Sequence, residues 1–188
     1  KGLPSRFSEI FPAKERIAEI FVADSLAYNV LHYADYEGLE VLKNLTEVAK
    51  WGGPNMQAIQ LDMIWPDPEI IQQFKELYPQ VQLIIKINYS DLDLVYYQPP
   101  ELVDKLMKYS SLLNGVSLVN TRGGRNMPIA WLDFLPYLAD INAFLPDLQL
   151  IVVGGLGPNS LDLVKPLIDC FVPEISLDAQ SRLRSRSD

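Results

Sequence analysis

The sequence predicts an α/β protein on a parallel sheet that curls into a (β/α)8 barrel. Three observations predict this. Short runs rich in Ile, Val and Leu alternate with segments of helical apolar spacing, the pattern of right-handed βαβ crossovers. No polar linker divides the 188 residues, so a single domain spans 1–188. Polar residues within the strand-like runs also keep to one parity, as they do when one sheet face lines a barrel interior.

The elements follow in order. Residues 1–27 form an N-terminal helical segment, with a helix around Pro12 to Phe21, residues 28–180 hold the βα repeats, and 181–188 form a basic tail with Arg182, Arg184 and Arg186. The strand-like runs are Tyr28 to Ala34, Gln57 to Met63, Gln80 to Tyr89, Val116 to Asn120, Leu148 to Val153 and Glu174 to Asp178. Most are short and apolar, as strands covered on both faces should be. A closed barrel needs two more strands. The chain begins at Lys1 without Met, so the barrel is expected to be incomplete at the N-terminus or to find those strands in its early residues.

The helices carry their own punctuation. Leu39, Leu42, Leu45, Val48 and Ala49 keep helical spacing until Gly52-Gly53-Pro54 stops them. Asp67 caps the next helix with Pro68 at its first position; Ile71, Phe74 and Leu77 face inward and Pro79 ends it. Pro99-Pro100 opens a third helix, carrying Leu102, Val103 and Leu106, with Asn114-Gly115 as its stop. Trp131, Leu135, Leu138 and Ile141 mark a fourth, with a kink expected at Pro136. Ser160 caps a fifth, with Leu161, Val164, Leu167 and Ile168 inward.

Parity selects the barrel over an open doubly wound sheet. Gln60 and Asp62 alternate with Ile59 and Leu61; Gln82, Lys86 and Asn88 alternate with Leu83, Ile85 and Ile87; Ser176 and Asp178 alternate with Ile175 and Leu177. A barrel gathers such residues at its C-terminal mouth, where active sites of this architecture lie. Asn120 is expected there too, on the interior parity of Val116 and Leu118, and His32 has the strand and parity to join them.

Charge and composition exclude several classes. A net charge of −8 repels phosphate backbones, so no nucleic-acid partner is expected. No apolar stretch approaches the roughly 18–20 residues of a membrane span, and no membrane partner is expected. The start lacks the layout of a signal peptide, and Cys170, the single cysteine, has no internal disulfide partner; both fit a cytoplasmic setting. One cysteine and one histidine rule out the usual zinc constellations, and no motif asks for a cofactor.

Two glycine-rich segments carry the ligand signal. Val153-Gly154-Gly155-Leu156-Gly157-Pro158-Asn159-Ser160 runs from a strand through glycines into a capped helix; either the backbone at Gly154, Gly155 and Gly157 approaches a ligand and the helix start offers N–H groups to an anion, or the segment is a tight glycine turn with no ligand. In barrels of the phosphate-binding type this is the loop after strand 7, completed by the loop after strand 8. The second segment is Asn120-Thr121-Arg122-Gly123-Gly124-Arg125, where the arginines either contact an anion or sit on a solvated loop.

These patches resemble phosphoribosylanthranilate isomerase, a (β/α)8 enzyme of tryptophan biosynthesis. Ile59-Gln60-Leu61-Asp62 before Pro68-Glu69 resembles that family's fourth strand, and Leu83-Ile84-Ile85-Lys86 its fifth. Leu118-Val119-Asn120-Thr121-Arg122-Gly123-Gly124 is similar to the sixth strand and loop, and Gly154-Gly155-Leu156-Gly157-Pro158-Asn159 to the seventh. The resemblance implies a small phosphorylated or anionic metabolite as ligand, held at Gly123, Gly124, Gly154, Gly155, Gly157 and Ser181.

The departures are chemical. The family's Amadori rearrangement uses a cysteine base at the end of the first strand and an aspartate acid before the sixth-strand Gly-Gly. Here no cysteine lies near the start, Cys170 reads as a small core residue, and Asn120 stands at the acid position. Asp178-Ala179-Gln180 replaces a phosphate-binding Ser-Ser-Gly, leaving Gly155, Gly157 and Ser181 as donors. The expectation is a divergent member without that isomerase activity. An alternative is a sugar-phosphate isomerase or lyase using Asp62, Lys86, His32, Asn120 or Asp178, where Lys86 is either a structural ion-pair partner or a proton-transfer group. A third is a non-catalytic interaction protein on a retired barrel.

Overall fold

The computed structural model describes residues 12–119, 131–171 and 175–179. Its strands are β1 (Val30–Ala34), β2 (Ala58–Asp62), β3 (Gln82–Ile87), β4 (Gly115–Val119), β5 (Gln149–Val153) and β6 (Ile175–Asp178). They form a single six-stranded sheet in the order β1-β2-β3-β4-β5-β6, and each neighbouring pair is parallel. Five of the six predicted runs contain one of them, trimmed by no more than two residues at either end; β4 begins at Gly115, one residue before its predicted run.

Sequential order has a consequence. Right-handed crossovers that always step in the same direction put their helices on the same face of the sheet. The core reflects that arrangement. Leu31, Ile59, Leu61, Leu83, Ile85, Ile87, Val116, Leu118, Leu150 and Val152 share one face and belong to one buried cluster. Ala58, Ile84 and Val119, which point the other way, are buried but lie outside that cluster.

The helices supply the other half of the core. They are α1 (Ile17–Ile20), α2 (Val41–Gly52), α3 (Pro68–Leu77), α4 (Tyr89–Asp93), α5 (Pro99–Met107), α6 (Leu135–Phe144) and α7 (Lys165–Phe171). Val41, Leu45 and Val48 of α2, Ile71 and Phe74 of α3, Leu102 and Leu106 of α5, Leu138 and Ile141 of α6, and Leu167 and Phe171 of α7 recur at three- or four-residue spacing and pack into the cluster. Asp67 caps α3, its Oδ1 accepting from Glu69 N–H at 2.9 Å, and Pro68 and Pro99 open their helices as expected.

Several local expectations change. The N-terminal helix is a 3-10 turn at Lys14–Arg16 followed by the single turn of α1, and residues 12–29 contain no strand. Pro136 lies in the first turn of α6, where its missing N–H costs nothing, so it helps start the helix and does not kink it. Gly115 opens β4 and does not stop α5, which ends at Met107; a Cβ there would come within 3.1 Å of the Gln149 carbonyl oxygen. The run expected to stay extended to Tyr89 ends at Ile87 and turns into α4. Cys170 is exposed: Leu167 and Phe171 form the inward stripe of α7, and Cys170 lies off it.

Candidate functional site

The sheet face opposite the helices builds the site. His32 on β1 lies in register with Gln60 on β2, and Ala34 with Asp62. Lys86 on β3 is opposite Ser117 on β4, which is opposite Ile151 on β5; Val153 is opposite Asp178 on β6. Because side chains two apart on a strand share a face, Gln60 with Asp62 and Lys86 with Asn88 point the same way.

Asp62 is the hub. Its side chain is 4% exposed. Oδ2 accepts from Lys86 Nζ at 2.6 Å and stands 3.2 Å from His32 Nε2, while Oδ1 accepts from Asn88 Nδ2 at 2.8 Å. Burial by itself would raise the Asp62 pKa. The donors of His32, Lys86 and Asn88 and the positive charge of Lys86 outweigh it and hold the carboxyl well below the usual carboxylate range. Asp62 is therefore an anchored anion that orients its donors, with little capacity left to take a proton.

His32 Nδ1 meets Gln60 Oε1 at 2.6 Å, so both ring nitrogens face oxygen. A ring protonated at both nitrogens satisfies that geometry; turning the Gln60 amide satisfies the neutral Nε2–H form. In either form Nε2–H donates to Asp62.

Asn88 connects the hub to a second carboxyl. Its backbone N–H donates to Asp91 Oδ2 at 2.9 Å at the start of α4. Asp91 is buried, and its Oδ1 has no hydrogen-bond partner among the described residues. Burial, reinforced by the Asp62 charge, raises the Asp91 pKa. Above them stands Tyr36, whose pKa is pushed up to about 12 by burial and then by Asp62.

A cavity of about 350 Å³ opens on this face. Val30 and His32 of β1, Gln60 of β2, Lys86 of β3, Ile151 and Val153 of β5, and Leu177 and Asp178 of β6 line it. Both edge strands contribute, so the sheet curves around the cavity. One wall is polar and internally hydrogen-bonded; the other is aliphatic, with Asp178 at its rim.

The structure brings Asp62, Lys86 and His32 into direct contact and puts Asp178 on the same cavity. Asn120, Gly123, Gly124 and Ser181 lie outside the described residues, as do Arg122, Arg125 and the arginine tail. Val116 and Leu118, expected on the interior parity, face the helices, and the other face of β4 carries Gly115, Ser117 and Val119. Ser117 was missed. It is fully buried and its Oγ has no hydrogen-bond partner among the described residues. It is the single polar side chain of β4, which was the available signal.

The glycine loop after β5 is closed on itself. Gly154 and Gly155 take φ 116° and 61°, as the turn requires. Gly157 N–H donates to Ser160 Oγ at 2.9 Å, and that hydroxyl lies 3.1 Å from the carbonyl oxygens of Gly155 and Gly157. Ser160 thus fills the loop and makes no side-chain helix cap; a 3-10 turn at Leu161–Leu163 follows, and α7 begins only at Lys165. Trp65 packs on Tyr109 with ring centroids 5.9 Å apart and donates to the Asp91 carbonyl at 3.4 Å.

No protein-family model, curated protein or solved structure matches this chain. The resemblance to phosphoribosylanthranilate isomerase accordingly rests on the residues quoted for it.

Proposed function

We propose that the concave face of the sheet is the binding pocket for a small anionic metabolite, on a divergent (β/α)8 barrel that has lost the Amadori isomerase chemistry. The barrel reading is supported by the sequential parallel order and by a cavity that reaches both edge strands. The loss of isomerase chemistry is supported by Asn120 at the acid position and by the exposed place of the single cysteine on α7. A reducing, cytoplasmic setting suits that unpaired thiol. No helix among the described residues is long and apolar enough to cross a membrane.

One observation carries the reading. Lys86, 17% exposed and pinned by Asp62, lines the cavity with N–H donors to spare. A buried carboxylate that fixes a lysine at a cavity wall preorganises a positive group for an incoming anion. Calorimetric titration with ribose 5-phosphate and a panel of small carboxylates tests it. Saturable heat that disappears in Lys86→Met supports the pocket; equal binding by that variant refutes it.

A second reading, proton transfer in a sugar-phosphate isomerase or lyase, is favoured by the orientation of His32. The ring is 42% exposed toward the cavity and Asp62 holds Nε2 at 3.2 Å, the orienting role that a carboxylate plays for a histidine base. Schiff-base chemistry at Lys86 is disfavoured, because its Nζ is already engaged with Asp62 Oδ2 at 2.6 Å. Turnover lost in His32→Gln with substrate binding retained is the outcome expected on this reading.

A further inference from the structure

The two walls of the cavity differ in chemistry, and that difference specifies a ligand class. We propose that the ligand is a small monocarboxylate with an apolar body, its carboxylate on Lys86 and its body against Ile151 and Val153. The inference rests on the pocket reading above and narrows it.

The charges around the cavity favour a monoanion. Among the described residues lining it, Lys86 is the fixed cation, and Asp62 at 2.6 Å already offsets most of that charge. Asp178 lines the same cavity and adds a second carboxylate. A phosphate dianion would bring two negative charges to a face whose lysine is already paired, whereas a carboxylate brings one and is matched by the remaining Lys86 N–H groups.

Backbone donors point the same way. Phosphate sites at strand ends draw on several N–H groups of a glycine loop and on the helix after it. In this chain Gly157 N–H is held by the chain's own Ser160 Oγ, and α7 has only seven residues. The ligand's anion therefore belongs at Lys86 on β3, which lines the cavity, and not at that loop.

The aliphatic wall specifies the rest. Ile151 and Val153 are only half-buried although β5 is not an edge strand, so apolar surface faces the cavity with no side chain among the described residues over it. A ligand with branched or flat hydrocarbon covers that surface; a polyol does not. At about 350 Å³ the cavity lies near the small end of ligand pockets, which suits a compact molecule.

The test titrates the full chain, by calorimetry and by chemical shifts, with isovalerate, with uncharged isovaleramide, and with inorganic phosphate and ribose 5-phosphate. Isovalerate is expected to bind saturably, with isovaleramide and phosphate at least about tenfold weaker. Lys86→Met should weaken isovalerate by about tenfold or more, and Val153→Thr, which keeps shape but adds a hydroxyl to the aliphatic wall, by a smaller factor in a protein that stays folded. Lys86-dependent binding of ribose 5-phosphate tighter than isovalerate overturns the monocarboxylate assignment and leaves the pocket standing. Failure of every probe overturns both.

Discussion

Lys86 Nζ donates to Asp62 Oδ2 at 2.6 Å, joining β3 to β2 at the wall of the cavity, with the Asp62 side chain 4% and the Lys86 side chain 17% exposed. Little of this pair is screened by water, so its energetics follow those of buried ion pairs. Desolvation offsets much of the attraction, and either partner left alone is costly.

A double-mutant cycle should display that asymmetry. Asp62→Leu and Lys86→Met are each expected to cost about 3 kcal/mol, because each strands a buried charge. The double variant should lose less than the two singles combined, with a coupling of about 1–3 kcal/mol in urea unfolding. Additive losses would mean that the two side chains act independently.

Asp62 also sets a pH dependence. Its folded pKa lies below its unfolded value, so the unfolded chain takes up the proton first. The resulting stability is fully present above about pH 4 and drains away as pH falls through the folded value. Asp62→Asn should flatten the stability profile in that acid range. An unchanged acid slope in the variant would assign the effect to other carboxyls.

Asp91 behaves in the opposite sense. Its raised pKa means the folded state holds its proton more tightly than the unfolded chain, which favours folding at low pH and loses that advantage as pH rises. Asp91→Asn keeps an acceptor for the Asn88 N–H and removes the repulsion with Asp62. Relative to wild type the variant should gain stability as pH rises above the usual carboxylate range. A relative loss there would contradict the assignment.

Tyr96 occupies a glycine position. It has φ 52° after α4, with Tyr96 N–H bonded to the Asp93 carbonyl and Tyr97 N–H to the Leu92 carbonyl, the pairing of a Schellman turn. Its side chain leaves the residue 79% exposed, so little packing offsets the left-handed strain. Tyr96→Gly should stabilise the protein by about 0.5–1 kcal/mol and Tyr96→Ala should not. Thermal melts of the two variants decide between strain relief and loss of an aromatic contact.

Much of the framework was legible because its signals are local. Alternation such as Ile59-Gln60-Leu61-Asp62 marks both the strand and its two faces, and Asp67-Pro68 and Pro99-Pro100 mark helix starts through cap and φ preferences. The meeting of Asp62, Lys86 and His32 followed from the same parity. What escaped depends on distant contacts or on segments too short to show a period. Five residues of α4 cannot display helical spacing, so Asn88-Tyr89 reads as more strand. The β4 run Gly-Val-Ser-Leu-Val leaves its two faces nearly alike, so the sequence does not say which of them Ser117 shares. Ser160 reads as a helix cap until the fold of the loop brings Gly157 N–H to its hydroxyl. Sequence spacing also cannot show whether the curve of six strands closes.

The central claim is that the concave face binds the ligand, and mapping shift changes onto the sheet tests it most directly. Backbone amide and methyl spectra are recorded while isovalerate, and separately ribose 5-phosphate, is titrated into the full chain. The account predicts saturable shifts gathered on Val30, His32, Gln60, Lys86, Ile151 and Val153, the residues lining the cavity. Shifts centred on the Gly154–Ser160 loop, or on the α2–α3 surface around Leu42 and Leu77, would contradict it.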